Sequence, residues 1–338
     1  MNFVVLFLIS NLAFGQSHKV LLTTGYRGNT DIHYTNYSEV IDLQNADSKC
    51  EDLEEYPLLL NGASGGLFLD SIPIICGGGS TFTVSDQCYI LGQDEPLIKM
   101  SQARSFGSAV MLNSSSMFIT GGTISLENYE KTDFVIVQKS REIEAKIVPG
   151  PDLPTSKVYG NCITKIDHER ILITGGLTSS GPNEYASDET YILNIDNGQW
   201  SRGPKMNHPR GYHGCTKIYD HSKQTDIFVV VGGSTGQDYV NLKSVEFLDA
   251  SLTEWIEGPE LPIPLEGFNL LSDEGGVYAF GGYSHAFSDK IFHMQCDLKC
   301  QWIEMRQKLK HPRDFMVGMF ISDDLSNCHN NELINQTS

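Results

Sequence analysis

Short apolar runs that end in a pair of glycines recur along this chain. Each run is rich in β-branched or aromatic residues, which is typical of a buried strand. The five pairs are Gly77-Gly78, Gly121-Gly122, Gly175-Gly176, Gly232-Gly233 and Gly281-Gly282, and they begin 44, 54, 57 and 49 residues apart. Residues 20–25 form a sixth, degenerate copy. The pattern predicts a structural repeat with a period near 50 residues, in which the glycines adopt backbone conformations that side chains resist.

Further strands can be predicted around each glycine pair. About 20 residues after a pair comes a run of alternating polarity, such as 188–195, and then a turn. The three tryptophans Trp200, Trp255 and Trp302 all follow such a turn. Another short strand precedes each apolar run and opens with sequences such as 104–107 or 210–214. Each repeat therefore contains four predicted strands.

The same opening recurs at 313–318, where no glycine pair follows. We infer that residues 315–321 supply the inner strand of the first repeat, whose other strands come from the N-terminal part of the chain. Closure of this kind removes the exposed edges of an open array. It gives six units over residues 16–322, no second domain, and an acidic tail over 323–338 that is flexible except where Cys328 ties it down.

Three features together resemble the kelch repeat over roughly residues 19–322. They are the glycine pair after an apolar strand, the later tryptophan, and an inner-strand opening that contains Arg, then Phe or Tyr, then Gly. The resemblance implies an all-β fold, a single six-bladed kelch-type β-propeller whose ring is closed by a C-terminal strand. The cysteine-containing stretch 50–89 is similar to secreted invertebrate kelch-like proteins. Kelch propellers are mostly binding platforms, and a few are enzymes.

Composition agrees with an all-β chain and limits the partners. Glycine is abundant at 32 of 338 residues, and only 20% of residues are charged. The formal net charge of −18 repels nucleic acid and anionic membrane surfaces, so we expect neither as a partner. The simplest role of this charge is solubility.

The first 15 residues have the features of a cleaved signal peptide. An apolar stretch over 3–12 is followed by Ala13-Phe14-Gly15, and it is too short to span a membrane. The alternative is a first core strand. Asn36, Asn113 and Asn335 begin sequons for glycosylation. We therefore expect a secreted, extracellular glycoprotein.

Eight cysteines suit an oxidising compartment. Cys76 and Cys88 flank the turn between neighbouring strands, and Cys296 and Cys300 flank a tight turn, so both pairs are predicted local disulfides. Connectivity does not follow from sequence alone. Cys162 and Cys215 hold equivalent inner-strand positions and are expected to be buried free thiols. Cys50 and Cys328 either pair or remain unassigned.

Six polar or aromatic residues fall at the starts of predicted inner strands, where alternate side chains face the central channel. In a functional interpretation they form a partly cationic funnel for a sugar acid or an acidic peptide. In the structural interpretation, which we favour, the tyrosines are core residues and the arginines donate hydrogen bonds between blades. The six are Arg104, Tyr159, Arg210, Tyr212, His213 and Arg313.

Other chemical motifs are weak. Residues 232–236 match the Gly-x-Ser-x-Gly pattern of serine hydrolases, but they coincide with a repeat glycine pair rather than a strand-to-helix elbow. His208, His213 and His221 have no carboxylate or cysteine that completes a metal site. We predict no catalytic residues, no metal and no cofactor.

The sequence thus favours an extracellular binding module without catalysis, in which loops such as 178–187 and 234–241 recognise a protein or a glycan. The alternative is a sugar isomerase or mutarotase acting in the channel, by resemblance to bacterial sialic acid mutarotase. Such chemistry needs an acid/base pair, and Glu266 and His213 are the best candidates.

Overall fold

The computed structural model describes residues 18–28, 33–124, 127–128, 130–155, 159–180, 183–236, 240–296 and 299–329. The predicted signal peptide and the sequon at Asn335 lie outside them. The described chain is all-β apart from one short 3-10 turn at Asp323–Leu325. Its strands form six radial sheets, so the predicted six-bladed propeller is confirmed.

Blades are numbered here in chain order, and their strands are given from the centre outward except in blade 1. Blade 1 starts with β1 (Lys19–Thr23), β2 (Ser38–Asp42) and the short β3 (Lys49–Cys50). Blade 2 consists of β4 (Asn61–Phe68), β5 (Ile72–Gly79), β6 (Gln87–Ile90) and β7 (Ile98–Lys99).

Blades 3 and 4 each carry an additional hairpin. Blade 3 contains β8 (Ser108–Asn113), β9 (Ser116–Thr120), the hairpin of β10 (Thr123–Ile124) and β11 (Glu127–Asn128), then β12 (Thr132–Lys139) and β13 (Ile143–Pro149). Blade 4 contains β14 (Cys162–Lys165), β15 (Arg170–Thr174), the hairpin of β16 (Leu177–Ser180) and β17 (Asn183–Ala186), then β18 (Thr190–Asn194) and β19 (Gln199–Arg202).

The last two blades are regular. Blade 5 consists of β20 (Gly214–Asp220), β21 (Thr225–Val231), β22 (Val245–Asp249) and β23 (Trp255–Glu257). Blade 6 consists of β24 (Asn269–Asp273), β25 (Gly276–Phe280), β26 (Lys290–Cys296) and β27 (Cys300–Lys308). The chain then returns to blade 1 with β28 (Val317–Ile321) and β29 (Cys328–His329).

Strand β28 pairs antiparallel with β1 and is the inner strand of blade 1, as predicted. The inner strands of the six blades neighbour one another in a closed circle. The order of the sheets fits the predicted closure, and regular structure continues after residue 322. Asp323–Leu325 forms the 3-10 turn, and β29 pairs with β3.

Six apolar clusters of described residues hold the ring together, one at each interface between neighbouring blades. Two of the three tryptophans contribute hydrogen bonds to the same interfaces. The Nε1 of Trp255 donates to the carbonyl of Pro204 at 3.0 Å, and that of Trp302 donates to the carbonyl of Pro259 at 2.9 Å. Each acceptor lies in the preceding blade, which explains why Gly-Pro follows the outer strand.

Both glycines of every pair have positive φ, between 55° and 109°. At Gly175, a Cβ atom would lie 2.3 Å from the carbonyl oxygen of Arg210, which belongs to the connection into the next blade. The neighbouring Gly176 donates its N–H to that same carbonyl at 2.9 Å. Any side chain at Gly175 would therefore separate the two blades.

Four disulfides are present. The predicted local bridges Cys76–Cys88 and Cys296–Cys300 are confirmed. The prediction of free thiols at Cys162 and Cys215 is wrong, because they are bonded to each other with 5.8 Å between Cα atoms. Equivalent inner-strand positions of adjacent blades come close together at the centre of the ring. Cys50 pairs with Cys328, the first of the two options that the sequence left open.

Consecutive strands alternate in direction, so the connections fall on two faces. We call one the loop face. It carries the blade-to-blade connections and the connections between the second and third strands. The described parts of the latter are 24–28, 33–37, 79–86, 121–124, 127–128, 130–131, 175–180, 183–189, 232–236, 240–244 and 281–289. We call the other the hairpin face, because it carries the short turns from first to second and from third to fourth strand.

Candidate functional site

The three arginines predicted at the channel are buried ion-pair partners inside their own blades. The pairs are Arg104–Asp133 at 2.8 Å, Arg210–Glu246 at 2.7 Å and Arg313–Glu39 at 2.5 Å, with every side chain at most 3% exposed. Each carboxylate lies on the third strand of its blade, as counted from the centre of the ring. The arginines therefore do not form a cationic funnel.

Each guanidinium also stabilises the edge of its blade. Arg210 donates from Nη1 to the carbonyl of Gly232 at 2.6 Å and to that of Ser244 at 3.1 Å. Burial lowers the pKa of Arg210, while Glu246 acts in the opposite direction. The expectation that the arginine side chains bridge neighbouring blades is corrected, because these acceptors all belong to the arginine's own blade.

Three aromatic side chains meet on the propeller axis. We call Phe106, Tyr212 and Phe315 the aromatic triad. Their ring centroids lie 5.5 Å (Phe106–Tyr212), 4.9 Å (Phe106–Phe315) and 4.9 Å (Tyr212–Phe315) apart, all with edge-to-face geometry. Such pairs are favourable for aromatic quadrupoles. The triad closes the channel on the side of the loop face, where the inner strands begin.

The triad residues alternate around the ring with glycines. The equivalent residue is aromatic in blades 1, 3 and 5 and is Gly62, Gly160 or Gly267 in blades 2, 4 and 6. All six positions have φ between 49° and 63°. Their backbones form a closed circle of N–H to carbonyl hydrogen bonds of 2.6–3.0 Å. A Cβ at each of the three glycines would lie 2.6–2.9 Å from the adjacent aromatic ring.

Below the triad lies a cavity of about 240 Å³, lined by all six inner strands. Tyr212 and His213 line it, whereas Tyr159, Arg104, Arg210 and Arg313 do not. Tyr159 is 5% exposed and packs 6.0 Å from the ring of Tyr212. Of the six residues predicted to face the channel, Tyr212 and His213 line the cavity and Tyr159 packs beside the triad. The three arginines lie inside their blades.

His213 is buried in this wall and shares a hydrogen bond of 2.8 Å between its Nε2 and the hydroxyl of Thr174. Burial, and then the nearby Arg210, hold the pKa of His213 well below its ordinary value of 6.5. The imidazole is therefore neutral near pH 7. Glu266, its proposed acid/base partner, pairs through its backbone with Tyr283 on the loop face.

The loop face exposes large apolar side chains. Tyr37, Leu59, Tyr185 and Val240 are 40–52% exposed there. Phe82 is 93% exposed at the tip of a turn in which the N–H of Ser80 donates to the carbonyl of Thr83 at 2.7 Å. A fully exposed phenylalanine on an ordered turn has no structural role in the blade.

Two of the three sequons lie in the described chain. Asn36 is half-buried on the loop face and donates from Nδ2 to Glu55 at 3.0 Å. Asn113 is exposed at the turn between β8 and β9, on the hairpin face. Among the described residues there is no group of three or more His, Cys, Asp or Glu side chains placed to hold a metal. No helix in this part of the chain is long and apolar enough to cross a bilayer.

Comparison with known proteins identifies the repeat. No protein-family model matches the chain. It is 27% identical over 124 residues to Kelch-like protein 40a of Danio rerio, which covers 36% of this chain and 19% of that protein. It is 33% identical over 97 residues to Beta-scruin of Limulus polyphemus, covering 29% and 10%. It is 25% identical over 146 residues to the F-box/kelch-repeat protein SKIP11 of Arabidopsis thaliana, covering 43% and 29%.

The protein is a kelch-repeat β-propeller. The similarity to these three relatives spans less than a third of each one's length. Among solved structures, the kelch chain is similar to YjhT with a TM-score of 0.52 and 13% identity, over 64% of this chain and 69% of that one. That likeness concerns the fold alone.

Two features of this kelch propeller were not anticipated. The carboxylates that pair with the arginines have a sequence signal: Glu39, Asp133 and Glu246 each precede a valine or phenylalanine near the start of the third strand. The third strands of blades 2, 4 and 6, which lack the arginine, have Tyr or Phe in place of the acid. The aromatic–glycine alternation is likewise visible once the six inner-strand openings are aligned.

Proposed function

We propose that this kelch propeller is an extracellular protein-binding module whose partner docks on the loop face. The observation that carries the proposal is the 93% exposed Phe82, on an ordered turn of the face that also exposes Tyr37, Tyr185 and Val240. Exposed aromatic residues are enriched at binding sites, where a few such residues supply most of the affinity.

The centre of the molecule supports a surface rather than a channel mechanism. The aromatic triad closes the loop-face entrance to the cavity, and His213 is neutral and hydrogen-bonded to Thr174. The arginines that could have bound a sugar acid are neutralised by their own carboxylates. Binding on the surface needs none of these groups to be free.

The proposed compartment rests on the cysteines. Eight cysteines form four disulfides, which persist in oxidising environments and are rare in the cytosol. The exposed sequon at Asn113 is available for a glycan on the hairpin face, away from the proposed docking surface. We therefore place the partner outside the cell or in the secretory pathway.

The test uses the full chain as bait in extracts of the source organism. The loop-face variant combines Phe82→Ala with Tyr37→Ala. Its matched control is Tyr219→Ala, which removes a 43% exposed tyrosine near the hairpin face. We expect a protein partner that wild type and the control capture alike and that the loop-face variant loses at least tenfold, reproduced with purified partner.

Two results would overturn this function. One is a partner that the Tyr219→Ala control loses while the loop-face variant retains it, which places docking on the other face. The other is the absence of any protein partner together with specific, Phe82-dependent binding to a glycan array, which assigns the face to glycans.

A further inference from the structure

A continuous row of aromatic side chains crosses the loop face from blade 6 to blade 1. The ring centroids of Tyr283 and Phe287 lie 5.3 Å apart, and Phe287 lies 5.6 Å from the ring of Tyr26. Tyr26 in turn lies 5.5 Å from the ring of Tyr34. Adjacent rings are inclined by 58–66°, so they do not stack flat and they leave shallow furrows between them. We call these four half-buried residues the aromatic row.

The row extends to the exposed turn of blade 2. The hydroxyl groups of Tyr34 and Thr81 share a hydrogen bond of 2.9 Å, and Thr81 directly precedes Phe82, which is 93% exposed. The row therefore continues the surface that we propose for protein docking. None of its four side chains is charged at neutral pH, so its contribution to binding comes from ring surface and hydroxyl groups.

The backbone of the row is already paired. Tyr26 is bridged to Tyr34 on one side and to Asp314 on the other, and Tyr283 is likewise bridged on both sides. A strand of a partner therefore finds no open edge at either tyrosine, which argues against docking by strand addition at this place. Any ligand must be recognised by the side chains of the row.

Two of these side chains offer hydrogen-bond donors. The hydroxyl groups of Tyr26 and Tyr283 have no hydrogen-bond partner among the described residues, and neither oxygen is a buried atom without a partner. Both hydroxyl groups are therefore accessible from the surface. Inclined rings with accessible hydroxyl donors complement a chain segment that presents apolar rings and unpaired carbonyl oxygens.

We propose that the aromatic row binds a proline-rich segment of the partner in the polyproline II conformation. Such a segment has no internal hydrogen bonds, so its carbonyl oxygens can accept from tyrosine hydroxyl groups while its proline rings pack between aromatic side chains. One turn of this helix advances about 9 Å, which is on the order of two ring-to-ring steps of the row. The inference rests on the proposed docking function, whose partner it describes.

The probe that tests the row is decaproline with blocked ends, which is uncharged and adopts polyproline II. Its control is a blocked Gly-Ser repeat of the same length, which is uncharged and flexible. Both peptides are titrated into the full chain and followed by NMR or calorimetry. We expect saturable binding of decaproline and at least tenfold weaker binding of the Gly-Ser peptide.

The variants remove hydroxyl groups and keep the rings. Tyr26→Phe and Tyr283→Phe should each weaken decaproline binding severalfold, and the double variant should weaken it at least tenfold. The matched control is Tyr219→Phe, which removes the hydroxyl of a 43% exposed tyrosine near the hairpin face and should leave binding unchanged. Thermal unfolding of every variant confirms that it is folded.

Three results would each overturn the proposal. They are the absence of saturable decaproline binding, equal binding of decaproline and the Gly-Ser peptide, and equal effects of the Tyr26→Phe and Tyr219→Phe substitutions. Oligosaccharide binding that Tyr26→Phe abolishes, in a protein that does not bind decaproline, would assign the row to glycans instead.

Competition with the captured partner separates this proposal from the docking function. We expect decaproline to displace that partner, and the Tyr26→Phe, Tyr283→Phe double variant to capture less of it. Decaproline that binds without displacing the partner would contradict the assignment of the row to the partner's segment. Failure of decaproline binding with intact Phe82-dependent capture would remove the proline-rich segment and leave the docking function standing.

Discussion

The buried ion pairs are the most consequential individual residues of the blades. Arg210 and Glu246 are both 0% exposed, and Glu246 also accepts the backbone N–H groups of Asn207 and His208 at 2.7 and 3.1 Å. The pair therefore fixes the connection between blades 4 and 5 as well as the interior of blade 5. Removing one member leaves a buried charge and several backbone groups unsatisfied.

Glu246→Ala is expected to destabilise the protein by about 3–5 kcal/mol, because it leaves Arg210 buried without its counterion. The control is Glu304→Ala, which breaks the exposed pair with Lys290 and should cost less than about 1 kcal/mol. Urea unfolding of both variants measures the difference. Similar losses of stability would show that the buried pair has no special role.

Asp314 gives the protein a pH dependence of the opposite sign to a salt-bridged carboxylate. Its folded-state pKa, about 8, lies above its ordinary value of 3.8. Between these pH values the folded protein holds a proton that the unfolded chain has lost, so this group makes stability fall as pH rises. Asp314→Asn should be more stable than wild type, with a gap that grows by up to about 1.4 kcal/mol per pH unit from pH 4 to 8.

Unfolding of the two proteins at several pH values in this window checks the slope. A constant difference in stability would mean that Asp314 ionises normally. Besides burial, the charge of Glu266 contributes to the raised pKa of Asp314, so Glu266→Gln should reduce the slope of wild type.

At the scale of single residues, the sequence predicted positions better than roles. The arginines were found because they open the inner strands of blades 1, 3 and 5, but their acids lie one or more strands away in sequence, from Arg104 to Asp133 and from Arg210 to Glu246. Local spacing in the sequence cannot predict an ion pair whose two residues come together only in the folded chain. The choice between a channel ligand and an internal carboxylate therefore needed the fold.

At the scale of elements, the starts of the inner strands show an unrecognised order. Aromatic residues and glycines alternate through six left-handed positions, giving the six-bladed ring an approximate threefold character at its axis. The arginine pairs follow the same alternation, in blades 1, 3 and 5. Two consecutive blades are thus the unit in which this chain repeats its polar interior.

Because the backbone at the triad is left-handed, a glycine substitution there should be less destabilising than an alanine substitution, the reverse of the usual order in a strand. Tyr212 has φ of 53°, which costs an L-residue about 1 kcal/mol, so Tyr212→Gly should be more stable than Tyr212→Ala by about that amount. Tyr89, buried in strand β6 without positive φ, is the control, and there glycine should be the worse replacement. Thermal unfolding of the four variants decides it. The same order at both sites would exclude a backbone effect at Tyr212.

The strands themselves could be predicted because their signals are local. Gly-Gly after an apolar run and Trp after a turn are repeated five and three times. The glycine pairs have a steric reason in the fold, and Trp255 and Trp302 each donate a hydrogen bond to the preceding blade. The triad was missed because Phe106, Tyr212 and Phe315 are about a hundred residues apart. Only closure of the ring brings their rings into contact.

At the scale of the whole molecule, the two ends of the propeller are joined in blade 1 by strand pairing, by a buried ion pair and by a disulfide. Strand β28 pairs with β1, Arg313 pairs with Glu39, and Cys50 is bonded to Cys328. The sequence indicated the strand exchange, since an opening without a glycine pair needed a partner. It left the disulfide open, because a separation of 278 residues carries no local signal.

The closing disulfide should contribute more to stability than a local one. In the chain-entropy description, a bridge across 278 residues restricts the unfolded chain far more than one across 4. Replacing Cys50 and Cys328 by serine should cost about 5 kcal/mol, against about 2 kcal/mol for Cys296 and Cys300. Denaturant unfolding of the two double variants tests this. Equal losses of unfolding free energy in the two variants would show that strand pairing and the ion pair close the ring without help from the disulfide.

We propose that the loop face of the propeller binds a protein. The most direct test compares amide hydrogen exchange of the free chain with that of the partner-bound chain. We expect slower exchange over 33–37 and 79–86 on the loop face, and unchanged exchange at the turn 220–225 on the hairpin face. Protection confined to the hairpin face, or to the outer strands, would contradict the account.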